Sequence, residues 1–276
     1  MLAPIPLLVL SFGMVNIDLS DKIALIAGVQ NEYSLGWAAA KKLLAAGCKC
    51  IFSFQGERNI PALEKLTAPF GEQVLMLEVC DVMYDEQIDS MFEKIKAKFG
   101  RIDYLMHAIA FTPRETQENP FVQTSREGWK IALDVSAYSL LALAQRAAPI
   151  MPAGSSIVAL TYYASEKVVP KYNVMGVAKA ALEATSRYLA YDLGSAGIRV
   201  NCVSPGPMRT VAAKSIPGFT QMLEKAAKVS ALGKNATFDD VGNMCLFLFS
   251  PMSGATTGET IYVDGGYSVM GMSFEG

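Results

Sequence analysis

Two side chains with complementary chemistry, a tyrosine phenol and a lysine ammonium, stand seven residues apart at Tyr172 and Lys179. Seven steps of about 100° return an α-helix to the same face, so we expect both groups on one helical stripe, about two turns apart. Met175 occupies the position four residues before the lysine, so the phenol must act from one turn further back. A phenol can donate to a developing oxyanion while a cation holds a cofactor ribose, and the pair therefore predicts a nicotinamide-dependent reductase.

A rival tyrosine and lysine, Tyr163 and Lys167, lie four residues apart just upstream. Pro170 disfavours helical backbone at the residue before it, so we expect the rival pair to share a loop rather than one helical face. The helix should start after Pro170 and carry Lys179, which is the better candidate.

The remaining pattern indicates the elements that must position this pair. Short β-branched runs alternate with longer amphipathic ones, and each apolar run is nearly continuous, as in a strand covered on both faces. Strands are predicted at 22–29, 49–54, 73–79, 104–110, 156–162, 199–204 and 261–264, and the clearest helices at 35–46, 84–99, 128–148, 172–194 and 238–249. Right-handed crossovers then predict a single doubly wound, Rossmann-type α/β domain with a seven-stranded parallel sheet and ligands at the carboxyl ends of its strands.

Composition narrows the class further. The chain has 276 residues, of which 51% are hydrophobic, enough for one large domain. A net charge of -2 disfavours nucleic-acid binding. A single histidine and five cysteines without metal-type spacing argue against a metal site and favour a reducing compartment.

Residues 1–14 form an apolar extension with two prolines and no lysine or arginine. It is too short to span a bilayer, so we expect no membrane anchor. Our preferred interpretation is an upstream start codon with the working start near Met14, against a weak secretory segment or an artificial extension. The reductase domain is then expected over 15–276.

A loop with glycine at each end follows the first strand. Gly28 permits a tight turn, Ser34 is expected to cap the next helix, and Gly36 allows that helix to pack close to the strand, while amides near Leu35 face a pyrophosphate. The spacing is longer than the usual dinucleotide loop, and a plain strand-to-helix turn is the alternative.

The second and third strand ends are candidate adenosine contacts. Gln55 stands where NAD enzymes often place a carboxylate, and a neutral amide can bond ribose hydroxyls but offers no cation to a 2'-phosphate. NADH is therefore favoured over NADPH, although Arg58 keeps NADPH open. Asp81 and the Val82 amide could hold the adenine ring, unless Asp81 simply caps the next helix.

Small residues close the fourth strand, as a backbone lying against a ribose or nicotinamide requires. Ala108 and Ile109 are the expected cofactor contacts, and Ala110 an expected substrate contact. His107 is interpreted as a core histidine held by hydrogen bonds, because a lone histidine at a strand end is seldom catalytic.

With these motifs, the chain resembles the short-chain dehydrogenase/reductase superfamily and, within it, the bacterial enoyl-acyl-carrier-protein reductases of type II fatty-acid synthesis. The resemblance covers nearly everything after Met14. It is carried by the stretched loop 28–36 and by Tyr162 standing ten residues before Tyr172, with Lys179 seven beyond. Segments 204–210 and 257–266 resemble the family's nicotinamide segment and last strand. Alanines at 108 and 110, where the family commonly has serine and glycine, are departures.

The resemblance implies a mechanism. NADH would deliver hydride to the β-carbon of a trans-2-enoyl thioester, Tyr172 would meet the enolate oxygen, Lys179 would hold the nicotinamide ribose, and Tyr162 would line the pocket. The implied catalytic residues are Tyr162, Tyr172 and Lys179. The implied cofactor contacts are Gly28, Ser34, Leu35, Gln55, Asp81, Val82, Ala108, Ile109, Lys179, Gly206, Met208 and Thr210. The implied substrate contacts are Ala110, Tyr162, Tyr172 and Met175.

A basic segment suggests the partner. Residues 209–234 hold five basic residues and one acidic residue, next to apolar side chains, while the rest of the chain is acidic. This pattern fits a helical substrate lid that meets an acidic carrier protein, with a solvated amphipathic helix as the alternative. The resemblance also implies a homotetramer in the cytoplasm of a bacterium or in a bacterium-derived organelle.

Two other functions remain open. One is a carbonyl-reducing dehydrogenase of the same fold that uses Tyr163 and Lys167. The other is a dinucleotide-binding regulator without turnover, although retention of Tyr172 and Lys179 speaks against it.

Overall fold

The structure is a computed structural model that describes residues 17–210 and 219–271. The predicted extension at 1–14 and residues 211–218 of the predicted lid lie outside the described residues.

A seven-stranded sheet forms the centre of a single α/β domain, and every strand pair is parallel. The strands are β1 Ile23–Ala27, β2 Lys49–Phe54, β3 Val74–Val79, β4 Tyr104–His107, β5 Ser156–Leu160, β6 Arg199–Pro205 and β7 Thr260–Val263. Their order is β3-β2-β1-β4-β5-β6-β7, so the direction of winding reverses between β1 and β4. The doubly wound prediction is confirmed, and a crevice is expected at this switch point.

The helices are α1 Leu35–Ala45, α2 Ile60–Thr67, α3 Asp85–Phe99, α4 Glu115–Glu118, α5 Arg126–Leu133, α6 Ser139–Ala147, α7 Val174–Gly194, α8 Phe219–Val229 and α9 Phe238–Phe249. Helices α1 and α9 pack on one face of the sheet, and α3, α6 and α7 pack on the other. The core is thus two apolar layers separated by buried strands, which explains the continuous apolar runs of the sequence.

Two strands end earlier than predicted. Strand β4 stops at His107 instead of 110, and β5 stops at Leu160 instead of 162. One further sheet-like bond follows each strand, from Ala108 N to Ala27 O at 2.9 Å and from Thr161 N to Val203 O at 2.9 Å. The chain then leaves the sheet, and the next residues of both segments line a cavity instead of pairing with a neighbouring strand.

The helix predicted at 128–148 is found as continuous helical backbone over α5 and α6, but it widens to a π-type turn at Asp134–Tyr138 between them. In that turn the Ser136 hydroxyl donates to Phe111 O and accepts from Phe111 N, both at 3.0 Å. The bulge therefore fastens the helix to the loop after β4, beside the cavity.

The start of α7 also differs from the prediction. The helix begins at Val174, not at residue 172, because Lys171 and Asn173 have φ of 69° and 46°. Such backbone is costly for residues other than glycine. Asn173 is held there because its Nδ2 donates to Thr116 O at 2.9 Å and to Asn119 O at 3.0 Å.

Candidate active site

A cavity of about 560 Å³ opens at the carboxyl ends of β1, β4, β5 and β6, where the winding reverses. Its size is typical of a small-molecule site. Of the residues predicted for cofactor, substrate or catalysis, those that line it are Gly28, Ser34, Leu35, Ala108, Ile109, Ala110, Tyr162, Tyr172, Met175, Lys179, Gly206, Met208 and Thr210. Residues from five distant segments thus meet at one place.

Lys179 projects from α7 to the floor of the cavity. Its Nζ donates to the carbonyl of Leu160, the last residue of β5, at 2.7 Å, and the residue is only 4% exposed. Burial lowers the pKa of Lys179 to about 8, since the charged form loses hydration. The amine therefore still carries its proton near neutral pH, in a place where its charge is weakly screened.

Two tyrosines stand beside this lysine. The rings of Tyr162 and Tyr172 meet edge to face with centroids 5.0 Å apart. Burial raises the pKa of both phenols above the ordinary value, so both remain protonated and can donate hydrogen bonds. A protonated donor is what a developing oxyanion requires.

Tyr172 and Lys179 reach the cavity by a different route from the one predicted. Tyr172 lies in the turn that precedes α7, so the two residues do not share a helical stripe. The strained turn at Asn173 turns the phenol toward the cavity instead. Seven-residue spacing located the pair, but the helical argument for it was wrong at its first residue.

The glycine loop after β1 is tightly constrained. Gly28 has φ of 99°, and a Cβ there would lie 2.4 Å from Ala108 O. Gly36 is also confined, since a Cβ would lie 2.9 Å from the Ala108 side chain. The close approach of Ala108 to the turn after β1 and to the first turn of α1 therefore requires glycine at both positions, and it leaves backbone free to approach a ligand.

Ser34 does not act as the predicted helix cap. It stands at the position before α1, but its hydroxyl turns back and accepts from Gln30 N at 3.0 Å and Asn31 N at 3.2 Å. The side chain thus closes the long loop on itself. This contact explains how a loop longer than the usual dinucleotide motif keeps a defined shape.

The adenosine candidates lie outside the cavity, on its β3 side. Gln55 and Asp81 follow β2 and β3, and Gln55 Nε2 donates to Asp81 Oδ2 at 3.1 Å. A carboxylate only accepts, so the amide must turn its NH₂ toward Asp81 and keep its oxygen for another donor. Asp81 does not cap α3, because its Oδ1 accepts from Met83 N, two residues before the helix begins. Val82 is partly buried and packs against the core cluster that includes α3.

His107 is fully buried and faces α6. Ser139 donates its hydroxyl proton to Val135 O at 2.7 Å, so His107 Nε2 is the donor in the 2.8 Å contact with Ser139. Burial, with the nearby positive Lys179, lowers the pKa of His107 to about 3. The ring is therefore neutral and joins β4 to α6, in agreement with a core histidine.

The rival pair is not part of the cavity wall. Tyr163 begins a single helical turn at Tyr163–Ser165, and its ring packs against Tyr262 and Tyr267 at centroid distances of 6.1 and 5.8 Å. Lys167 is exposed beyond that turn. The two residues therefore do not share a helical face, as expected, although Tyr163 lies in a single helical turn rather than in a loop. Neither residue lines the cavity.

Several lining residues were not predicted. Phe111, Thr112, Arg114 and Gln117 come from the segment between β4 and α5, and only its polar and aromatic character could have indicated them. Phe219 and Met222 also line the cavity, and they come from α8, inside the predicted lid. Among the described lining residues the charged ones are Lys179 and Arg114, so the wall favours an anionic ligand.

These features fit a nicotinamide dinucleotide. The glycine turn permits close approach of a pyrophosphate, the small side chains of Ala108 and Ala110 leave room for a ribose, and Lys179 supplies a buried cation. The chain is thus a dinucleotide-dependent oxidoreductase of the short-chain dehydrogenase/reductase class.

Comparison with known proteins gives the family. The enoyl-(acyl carrier protein) reductase family matches residues 28–268, and the chain belongs to it. An NADH-dependent enoyl-acyl-carrier-protein reductase of Aquifex aeolicus is 43% identical over 255 residues, covering 92% of this chain and 94% of that protein. The crystal structure of an Aquifex aeolicus reductase superposes with a TM-score of 0.87 at 42% identity, covering 92% of this chain and 99% of the other.

A Bacillus cereus reductase crystallised with NADP⁺ and an indole naphthyridinone gives a TM-score of 0.90 at 42% identity, covering 92% and 100% of the two chains. An Anaplasma phagocytophilum reductase with NAD gives 0.87 at 39%, covering 93% and 96%. The fold and the family therefore rest on matches over nearly the whole described chain.

Within the described residues, no helix is both long and apolar enough for a membrane crossing. No group of three or more His, Cys, Asp or Glu side chains in that same part of the chain is placed to hold a metal ion.

Proposed function

We propose that this chain reduces the 2,3 double bond of trans-2-enoyl-acyl-carrier-protein thioesters with NADH, in type II fatty-acid synthesis. One observation carries the proposal. The phenols of Tyr162 and Tyr172 and the ammonium of Lys179 line one cavity, whose rim is built by a glycine turn and small residues.

The residues divide the chemistry among them. When bound, the reduced nicotinamide supplies hydride for the β-carbon of the substrate. Tyr172 donates a hydrogen bond to the thioester oxygen as negative charge develops there, and its raised pKa keeps the proton in place until then. Lys179 holds the nicotinamide ribose and adds positive potential. Tyr162 packs against the Tyr172 ring, lines the pocket and contacts the thioester.

Other side chains shape the ends of the site. Ser34 and Leu35, at the start of α1, and Gly206, Met208 and Thr210, after β6, line the cavity and would hold the dinucleotide between them. Ala110 and Met175 line the same cavity and would contact the substrate.

NADH is favoured by the adenosine end. Gln55 presents an oxygen that can accept from a ribose 2'-hydroxyl, whereas a 2'-phosphate would bring more acceptors and negative charge toward Asp81. Arg58 follows in the exposed turn Glu57–Asn59 and is the cation available for NADPH.

A pair of thioesters tests the activity. We expect NADH oxidation with a crotonyl thioester and little with an acetoacetyl thioester, and the opposite preference would favour a carbonyl reductase. The double variant Tyr163→Phe, Lys167→Met is a matched control, since it removes the rival pair. NADH binding without consumption across enoyl thioesters would support a non-catalytic sensor and contradict the proposal.

Helix α8 is proposed as part of a substrate lid that meets the acidic carrier protein. Its inner side places Phe219 and Met222 in the cavity wall, and its outer side exposes Lys225 and Lys228. The same helix can therefore contact the acyl chain and the carrier.

Charge reversal tests the lid. Lys225→Glu with Lys228→Glu should raise the KM for a carrier-bound substrate and leave the KM for a coenzyme A thioester unchanged. Lys96→Glu with Lys98→Glu, on the exposed side of α3, is the control for net charge. Equal effects on both substrates would contradict a carrier-docking role.

A homotetramer is the proposed assembly, supported by exposed apolar groups. Tyr188 and Tyr191 on α7 are 75% and 84% exposed, and Val269 near the carboxyl end is 78% exposed. Sedimentation velocity should give a mass of four chains, and a monomer at micromolar concentration would contradict it. The cytoplasm of a bacterium, or a bacterium-derived organelle, is the proposed location because type II synthesis takes place there.

A further inference from the structure

Helix α7 grips the end of β5 at two successive residues. Lys179 Nζ donates to Leu160 O at 2.7 Å, and Glu183 Oε1 accepts from the Thr161 hydroxyl at 2.5 Å. The residue that follows is Tyr162, whose ring lies against Tyr172. The two anchoring side chains stand one helical turn apart on α7.

The hydrogen bond between Glu183 and Thr161 is deeply buried. Thr161 and Glu183 are 4% and 6% exposed, and a carboxylate so placed is costly unless it is hydrogen-bonded and near an opposite charge. Thr161 supplies the hydrogen bond, and Lys179, also buried, supplies the charge. The negative charge of Glu183 is thus stabilised by a residue of the active site rather than by water.

The other groups that interact with Lys179 do not carry a negative charge near neutral pH. Cys202 approaches from β6, and burial raises its pKa to about 11, so it stays a thiol. His107 approaches from β4 as a neutral ring. Among these neighbours in the described chain, Glu183 on α7 provides the opposing charge that favours the ammonium form.

We propose that Glu183 is a positioning residue for the reaction: through Thr161 it fixes the backbone that presents Tyr162, and its carboxylate keeps Lys179 charged beside the cofactor. The inference rests on the proposed function, because it concerns the same tyrosines and lysine. Glu183 does not line the cavity and acts only through these neighbours.

Two near-isosteric variants separate the two effects. Glu183→Gln removes the charge but keeps an oxygen for Thr161. NADH affinity, measured by titration without substrate, should then be lost at a pH about one unit lower than in the unmodified protein, because one neighbouring charge is gone. Thr161→Val keeps the charge, so the pH midpoint should stay, while turnover should fall about 10-fold as Tyr162 loses its anchor.

Conservative variants complete the design. Thr161→Ser restores the hydroxyl and should return turnover to near the original value. If Glu183→Gln does not fold, Glu183→Asp keeps the charge on a shorter side chain, and it should keep the pH midpoint while lowering turnover.

The inference is overturned if Glu183→Gln, or Glu183→Asp in its place, has the midpoint and turnover of the unmodified protein, or if Thr161→Val is fully active. A purely structural role would lower thermal stability in both variants without moving the pH midpoint. Failure of the unmodified protein to reduce enoyl thioesters would instead reject the proposed function. The NADH titrations, which need no substrate, would still show whether Glu183 shifts the pH midpoint of binding.

Discussion

The proposed nicotinamide end and the proposed adenosine end of the cleft are built in opposite ways. At the nicotinamide end Lys179 and Glu183 are buried, and hydrogen bonds join them to the last residue of β5 and to Thr161 just after it. At the adenosine end Gln55 and Asp81 meet through one hydrogen bond that water can reach. A charge in a dry, fixed setting acts far more strongly than one in water. The buried end is therefore suited to catalysis, and the exposed end to selection between similar cofactors.

The largest expected effect is at the buried end. Tyr172→Phe keeps the ring that packs on Tyr162 but removes the donor to the developing oxyanion. Loss of one such donor costs on the order of 100-fold or more in turnover. Steady-state kinetics with a crotonyl thioester should show that loss, while NADH titration stays unchanged. Tyr163→Phe is the matched control, and full activity of Tyr172→Phe would remove the contrast between the ends.

A second effect is expected at Lys179. Lys179→Ala should weaken NADH binding by roughly 10-fold or more, since a buried charge-assisted contact is lost. In the unmodified protein, affinity should fall as pH rises through about 8, because the amine with a lowered pKa loses its proton there. The alanine variant should lack that fall. Identical NADH titrations for both proteins across this pH range would contradict the role.

Gly28 lines the cavity in the loop after β1, so its replacement should change both thermal stability and NADH affinity. Gly28→Ala would place a methyl group 2.4 Å from Ala108 O at a φ of 99°. Such overpacking and backbone strain cost about 1–3 kcal/mol. Thermal unfolding should shift to lower temperature and NADH affinity should weaken. Gly56→Ala, where a Cβ would meet no atom within 4 Å, is the control, and equal behaviour of the two variants would argue against a constrained turn.

Elements that depend on local sequence were predicted well, and elements that depend on contacts between distant residues were not. Seven strands followed from apolar runs, since buried parallel strands admit few alternatives, and Tyr172 and Lys179 followed from their spacing. Tyr162, Gly206, Met208 and Thr210 came only from the family resemblance. The start of α7 was missed because the turn at Asn173 is held by α4, which is distant in sequence. The π-type turn at Asp134–Tyr138 was missed because the contact that accompanies it joins Ser136 to Phe111, which is distant in sequence.

The smallest expected effect is at the exposed end. Gln55→Arg introduces a cation for a 2'-phosphate, but Asp81 at hydrogen-bond distance would compete for it, and exposed ion pairs contribute about 0–1 kcal/mol. The ratio of NADPH to NADH affinity should therefore rise only about 3-fold to 5-fold. Arg58→Gln tests the cation already present in the next turn, and it should lower NADPH affinity without changing that for NADH. If either variant changed the ratio 100-fold or more, the adenosine end would not be the weakly coupled region that its exposure indicates.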